Sequence, residues 1–387
     1  MPVKPIRIMR LISRMNVGGP AQHAVFLTQS FQNEQWKTFL CSGFEDHAEE
    51  NMLDLAAARG VFVKRIFRMR RKVSVLNDAF AFFHILWLLW KFRPHILHTH
   101  TAKAGALGRI ASFFYGKVYL VHTFHGHVFS EYFNPKVSRI FLKVERVLSR
   151  KTDVIITLTE SLKDELSSKG IQPRRRFCVV PLGLDLSRFQ QGVADQTFRA
   201  EVGVKENMFL IGVVGRLVPI KRHQDVLEAM AMVLQKNPMV RLAVVGGGEC
   251  EFHLKSLAEK LKISDKVFFC GFRKDLEKIY PSLDLVVLCS ANEGMPLCLI
   301  EAMAQGIPIV ATRVGGVNDL LSDCPSCKIV NAKSPSELAA AIEDVTSHYD
   351  QYKSEAEGYR KTAFARFDLK NLVQNTEKVY QDLLEGL

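Results

Sequence analysis

The sequence predicts an α/β protein of two domains, each built on a parallel sheet with crossover helices. Short apolar runs rich in β-branched and aromatic residues recur along the chain, and longer segments of helical periodicity alternate with them. A polar break near the middle separates two such series. With 387 residues, 48% hydrophobic and 24% charged, the chain can bury two cores of ordinary size.

In the first half the strands are expected at Ile6–Ile12, Thr38–Ser42, Val61–Ile66, Ile96–Thr99, Val118–Thr123, Val154–Leu158 and Phe177–Val180. The second series is Phe209–Val214, Leu242–Val245, Val267–Cys270, Leu285–Leu288 and Pro308–Ala311. Val226, Leu227, Met230, Val233 and Leu234 share one helical face. In the last segment Leu369, Leu372, Val373, Thr376, Tyr380, Leu383 and Leu384 do the same. Pro181-Leu182-Gly183, followed by polar residues from Ser187 to Gly203, marks the hinge. The expected domains are therefore 1–186 and 187–367. In α/β domains of this kind, ligands bind at the carboxyl ends of the strands.

Net charge is +12, and it is unevenly placed. Residues 1–190 carry 29 Lys+Arg against 14 Asp+Glu, the remainder 23 against 26. A basic first half suits a phosphorylated substrate, an acidic lipid surface or nucleic acid. Met1 to Arg14 scatters cations among apolar residues, so no signal peptide is expected. The run Ala79–Trp90 is 12 residues and broken by His84, too short for a membrane span. Two readings of it stay open: a buried crossover helix, or aromatic residues Phe80, Phe83, Trp87 and Trp90 dipping into a bilayer interface. Eight irregularly spaced cysteines suit a reducing compartment, and Cys324-Pro325-Ser326-Cys327 reads as an ordinary loop.

Four segments carry candidate chemistry. After the strand Leu285–Leu288 comes Glu293-Gly294-Met295-Pro296-Leu297, a turn opening a helix that contains Glu301. Freed N–H groups at such a turn, backed by the helix dipole, accept phosphate oxygens. The two carboxylates can hold opposite ends of one sugar nucleotide, or are an acid beside the helix start and an acid on the helix surface. After Phe209–Val214 comes Gly215-Arg216-Leu217-Val218-Pro219-Ile220-Lys221, whose cations would stabilise a departing diphosphate. Between the first strand and first helix lies Asn16-Val17-Gly18-Gly19-Pro20-Ala21-Gln22-His23, a glycine loop that lets backbone approach phosphate or sugar; it is neither a P-loop nor a dinucleotide fingerprint. Gly246-Gly247-Gly248-Glu249 is a similar loop.

Half of the 12 histidines, namely His95, His98, His100, His122, His125 and His127, crowd into one stretch. No Asp or Glu occurs between Asp78 and Glu131, which argues against a metal centre there. They read either as satisfied strand-end histidines or, for His125, as a substrate contact. The chain contains no Asp-x-Asp, so a divalent ion on the sugar nucleotide is not expected. Neither metal nor cofactor is anticipated.

Together these motifs resemble the retaining family 4 glycosyltransferases of the GT-B fold, and the similarity runs from Gly18-Gly19-Pro20 to the final helix. The stretches from His98 to Gly105 and His122 to His127 resemble members that build bacterial surface polysaccharides. The resemblance implies two Rossmann-like domains facing across a cleft, the first on the acceptor side, with a last helix, 368–387, crossing back to it. It implies that Arg216 and Lys221 bind the donor diphosphate, Glu301 the ribose, and Glu293 the sugar beside the anomeric carbon. His125 would contact the donor sugar, Gly294 to Leu297 would offer backbone N–H groups, and Gly271-Phe272-Arg273 would meet the base. Such enzymes usually read Lys-Gly where this chain has Lys221-Arg222. The expected donor is UDP-hexose or UDP-N-acetylhexosamine. The acceptor is expected to be lipid-linked or a saccharide, at the inner membrane face of a cytoplasmic protein that touches anionic lipid and no nucleic acid. The rival readings are a sugar-nucleotide epimerase or a phosphorylase on the same architecture, and a non-catalytic binder of anionic lipid or nucleic acid.

Overall fold

The computed structural model describes residues 5–46, 50–116, 118–126, 135–190 and 196–386, with the backbone alone for 135–137 and 196. The chain divides into two compact units, one of residues 1–184 with 369–387 and the other of residues 185–368.

The first unit holds seven strands: β1 (Ile6–Ile12), β2 (Trp36–Ser42), β3 (Val63–Arg65), β4 (Ile96–His100), β5 (Tyr119–Phe124), β6 (Val154–Thr157) and β7 (Arg176–Val179). All pair in parallel, in the order β3-β2-β1-β4-β5-β6-β7. Helices cover both faces, which is why an inner strand such as β6 is buried along its whole length rather than alternately. On one face Ile8, Ile96, Val121 and Ile156 meet Leu27, Phe31 and Trp36, together with Leu372, Val379, Tyr380 and Leu383 of the helix Leu369–Glu385. The periodic apolar face of that last helix thus completes the core of the first unit. Trp36 Nε1 also donates to Glu377 at 3.0 Å. On the other face Met9, Leu11, Leu97 and Leu120 meet Ala81, Ile85, Leu88 and Leu89 of the helix Val75–Phe92.

The second unit holds β8 (Phe209–Val214), β9 (Val240–Val245), β10 (Val267–Gly271), β11 (Leu285–Leu288), β12 (Ile309–Thr312) and β13 (Cys327–Val330). These are parallel in the order β10-β9-β8-β11-β12-β13. Val226, Leu227, Met230 and Val233 of the helix His223–Lys236 are buried against Ile211, Val213, Leu242 and Val244.

Each of the twelve expected strands is present, with ends shifted by up to two residues. The thirteenth, β13, was not anticipated: it is a short edge strand, half-buried throughout, and Lys328 interrupts its apolar pattern. β3 is shorter than expected because it too is an edge, paired only where Leu40, Cys41 and Ser42 face Val63, Lys64 and Arg65. The loop ahead of β13 also differs from the reading, since Cys324 and Cys327 form a disulfide with Cα atoms 5.6 Å apart. The run Ala79–Trp90 extends into an 18-residue helix, Val75–Phe92, that by length and composition alone passes as a membrane span. Its buried face nonetheless belongs to the core of the first unit.

Candidate active site

In the second unit the sheet order reverses between β8 and β11, so the loops leaving their carboxyl ends diverge and open a crevice. The two strongest sequence motifs enter that crevice. Ala291 N–H donates to the Ile220 carbonyl at 2.8 Å, tying the loop after β11 to the loop after β8. Lys221 Nζ lies 2.5 Å from Glu293 Oε1, and Ser290 Oγ donates to the same oxygen at 2.5 Å. The Arg216 side chain is exposed and makes no hydrogen bond or ion pair among the described residues, while its carbonyl accepts from Val218 N–H at 2.9 Å. Beyond Gly294, Pro296 precedes the helix Leu297–Ala304, whose N-terminus has no side-chain cap. First-turn N–H groups have no acceptor within their own helix, so this end offers donors and a positive dipole to an anion.

Arg222, which stands where the resemblance expects glycine, adopts the left-handed conformation itself at φ 50°. A residue with Cβ is strained there. Its guanidinium is held by Asp225 through two bonds of 2.6 and 2.7 Å. The departure therefore leaves the backbone turn in the form a glycine would give it.

Glu301 is buried in the helix Leu297–Ala304. Its Oε2 accepts from Tyr280 Oη at 2.8 Å and its Oε1 from Arg188 Nη2 at 3.0 Å. Burial raises its pKa, while Arg188 and the Tyr280 hydrogen bond oppose the rise. The loop Gly246–Gly248 braces the Arg216 segment: Gly215 N–H donates to the Val245 carbonyl and Leu217 N–H to the Gly247 carbonyl, each at 2.9 Å. Gly246 N–H in turn donates to Gly271 at 2.8 Å, which places the Gly271–Arg273 loop beside it. Phe272 is partly exposed, whereas the Arg273 guanidinium is engaged by Asp275 at 2.7 Å and Glu201 at 2.5 Å. A surface depression of about 420 Å³ lined by Glu201, Lys255, Phe269 and others includes none of the expected site residues.

The first unit repeats the arrangement, with its order reversing between β1 and β4. Gly18, at φ 153°, leads into the helix Gly19–Ser30, which carries His23 onto the ends of β4 and β5. There His100 Nδ1 lies 3.0 Å from His125 Nε2, and the His23 ring meets the His125 ring edge-on at 4.9 Å. His98 stacks at 4.2 Å on His100 and bonds Tyr380 Oη at 2.6 Å and Thr123 Oγ1 at 2.7 Å. Thr101, directly after β4, is β-branched yet stands at φ 66°, a strained conformation of the sort that clusters at functional sites. Burial keeps these imidazoles neutral: His23, His98 and His100 are pushed well below the ordinary histidine range, and His125 to about 3.

His23, His100 and His125 bring their nitrogens within 4.8 Å of one another, a ligand set that matches zinc in number. Among the described residues these three rings contact one another and the His98 ring, and no carboxylate orients them. Sequence reasoning missed His23, Tyr380, Ser290, Tyr280 and Arg188. His127 lies outside the described residues.

Two families cover nearly the whole chain: Glycosyltransferase Family 4 matches residues 17–188 and Glycosyl transferases group 1 matches residues 194–362. A UDP-Gal:alpha-D-GlcNAc-diphosphoundecaprenol alpha-1,3-galactosyltransferase of Escherichia coli is 30% identical over 257 residues, 65% of this chain and 66% of its own length. A D-inositol 3-phosphate glycosyltransferase of Corynebacterium urealyticum is 31% identical over 250 residues, 62% of this chain and 59% of that one. The matched stretch thus spans less than two thirds of each of these two relatives. In fold, the chain is similar to HepE of Anabaena solved with UDP-glucose, with a TM-score of 0.82 at 22% identity over 97% of this chain and 100% of that one. The chain belongs to the family 4 glycosyltransferases and has their GT-B fold.

Proposed function

We propose that this protein transfers a hexose or N-acetylhexosamine, with retention of configuration, from a UDP-linked donor to a lipid-linked or saccharide acceptor at the inner face of a membrane. The observation that carries the reading is the meeting of Arg216, the Lys221–Glu293 pair and the uncapped helix start after Gly294 at one sheet reversal. Fixed cations and backbone donors stabilise a diphosphate more as it departs than while it is esterified, so they lower the barrier rather than merely bind. No metal is required in this reading, because Arg216, Lys221 and the helix end supply the positive charge.

In the proposed step the bond between the anomeric carbon and the β-phosphate oxygen breaks, and its electron pair stays on that oxygen. An acceptor hydroxyl oxygen bonds the same carbon from the same face, and its proton passes to the departing phosphate. Glu293 steadies the cationic sugar, Glu301 holds the ribose hydroxyls, and Phe272 packs on the base. Gly18, Gly19 and His125 are assigned to the donor by motif alone. Since Arg273 is already held by two carboxylates, backbone of the Gly271–Arg273 loop is the better candidate for a polar base contact. The names of relatives acting on a UDP-sugar and on a diphosphoundecaprenol acceptor support the donor and acceptor class.

Thermal stabilisation by a panel of sugar nucleotides, followed by NMR of the anomeric product formed with an acceptor, tests the proposal. An inverted product refutes retention, and donor turnover that is independent of any acceptor favours an epimerase.

A further inference from the structure

We propose that the outward face of the helix Val75–Phe92 lies flat in the interface of an anionic bilayer and anchors the first unit there. The inference stands apart from the transfer chemistry, since it concerns a surface that none of the donor-site residues shares.

The helix has two apolar faces. Ala81, Ile85, Leu88 and Leu89 are buried in the core. On the other side Leu76 is 73% exposed, Phe80 50%, Phe83 65%, Trp87 48% and Trp90 57%. Phe67 and Phe114, both mostly exposed, widen the patch: Phe67 meets Phe80 at 6.1 Å, and Phe114 meets Phe82 at 5.5 Å. Water is a poor solvent for so many adjacent rings, and an unpartnered patch of this kind marks a contact surface.

Charge identifies the occupant. Residues 61–116 carry 10 Lys+Arg and a single acid, Asp78, which Lys103 neutralises at 2.5 Å. The cations lie among the rings: Arg68 is 5.3 Å from the Phe67 ring and 4.9 Å from the Phe80 ring, and Lys91 is 4.8 Å from the Trp87 ring. Arg70, Arg71 and Lys72 are exposed beside them. Aromatic rings seated under cations fit the boundary between acyl chains and acidic headgroups. A second copy fits badly, because a symmetric pairing would set these cations against themselves. Spanning is disfavoured as well, since it would strip Ala81, Ile85, Leu88 and Leu89 from the core.

The chain's own fluorescence tests this. Of its three tryptophans Trp36 is 1% exposed, while Trp87 and Trp90 both lie on the patch. The full chain is mixed with vesicles of equal parts phosphatidylcholine and phosphatidylglycerol, brominated in the acyl chains, without acceptor lipid or sugar nucleotide. Tryptophan emission is expected to be quenched, and phosphatidylcholine alone to quench far less. The triple variant Arg70→Gln, Arg71→Gln, Lys72→Gln is expected to partition roughly a hundredfold more weakly. Phe83→Ser, which alters only an exposed side chain, is expected to weaken partitioning while keeping the wild-type melting temperature. Unquenched tryptophans, or vesicle binding indifferent to all of these changes, overturn the proposal. So does lipid-free self-association that Phe83→Ser abolishes, which would make the face a dimer contact. None of these results bears on sugar transfer, which is measured separately with a soluble acceptor.

Discussion

Gly246→Ala offers a sharp test of how the Arg216 segment is held. A Cβ at position 246 would lie 2.0 Å from the Gly215 carbonyl oxygen and 2.8 Å from its carbon. Both are backbone atoms, so no side chain can turn aside, and the strand end carrying Arg216 must move by about 1 Å to reach ordinary contact. The backbone stands at φ +146°, where an L-residue is strained by about 1–2 kcal/mol. Overpacking a filled site adds about 1–3 kcal/mol. At about 2–4 °C per kcal/mol for a unit of this size, the variant is expected to melt about 5–15 °C lower. Its UDP affinity is expected to fall at least about tenfold, because the displacement reaches Arg216, the first cation proposed to hold the phosphates. Gly247→Ala is the control, since a Cβ there meets nothing within 4 Å. Calorimetric melting and UDP titration of the two variants decide the matter: if Gly246→Ala matches Gly247→Ala in both, the loop does not brace Arg216.

Other outcomes follow from the same structure. Glu301→Ala should raise the donor KM about 10- to 100-fold by removing a charged hydrogen-bond acceptor. It should also lower stability, because Tyr280 Oη is left buried without its partner; an unchanged donor titration removes Glu301 from the site. Stability should fall as pH drops from about 6.5 towards 3, because the unfolded chain takes up protons that buried His23, His98, His100 and His122 and half-buried His125 refuse. Each histidine contributes up to about 1.4 kcal/mol per pH unit in that window. Glu301, with its raised pKa, acts in the opposite sense as a single group. Melting temperatures that stay level from pH 7 to pH 5 contradict this account. Transfer activity should persist in excess chelator, and strict dependence on added Mg²⁺ or Mn²⁺ would show that Arg216 and Lys221 are insufficient.

The sheets were legible because parallel strands covered on both faces are largely apolar throughout, as in β8 and β11. β13 escaped because an edge strand needs only one covered side, which Lys328 tolerates. Arg216, Lys221, Glu293 and Gly294 could be picked out from sequence as candidates since each lies in a loop that leaves a strand's carboxyl end, and strand ends are where α/β sheets bind ligands. The supporting contacts could not. Arg188 reaches Glu301 across 113 residues, and Tyr380 reaches His98 across 282, so no local spacing encodes either. In the sequence His23 is no more than the end of a glycine loop, and only the folded helix turns it onto His100 and His125. Nor does any pattern in the sequence reveal that Arg222 takes a glycine's conformation and is held there by Asp225.

The convergence of Arg216 and Lys221 on one diphosphate is tested most directly by calorimetric titration of UDP and of uridine into the wild type, Arg216→Ala and Lys221→Ala. Each variant is predicted to lose at least about tenfold in UDP affinity while binding uridine as the wild type does. UDP bound equally well by all three proteins, or uridine weakened in step with UDP, would contradict the assignment of these cations to the phosphates.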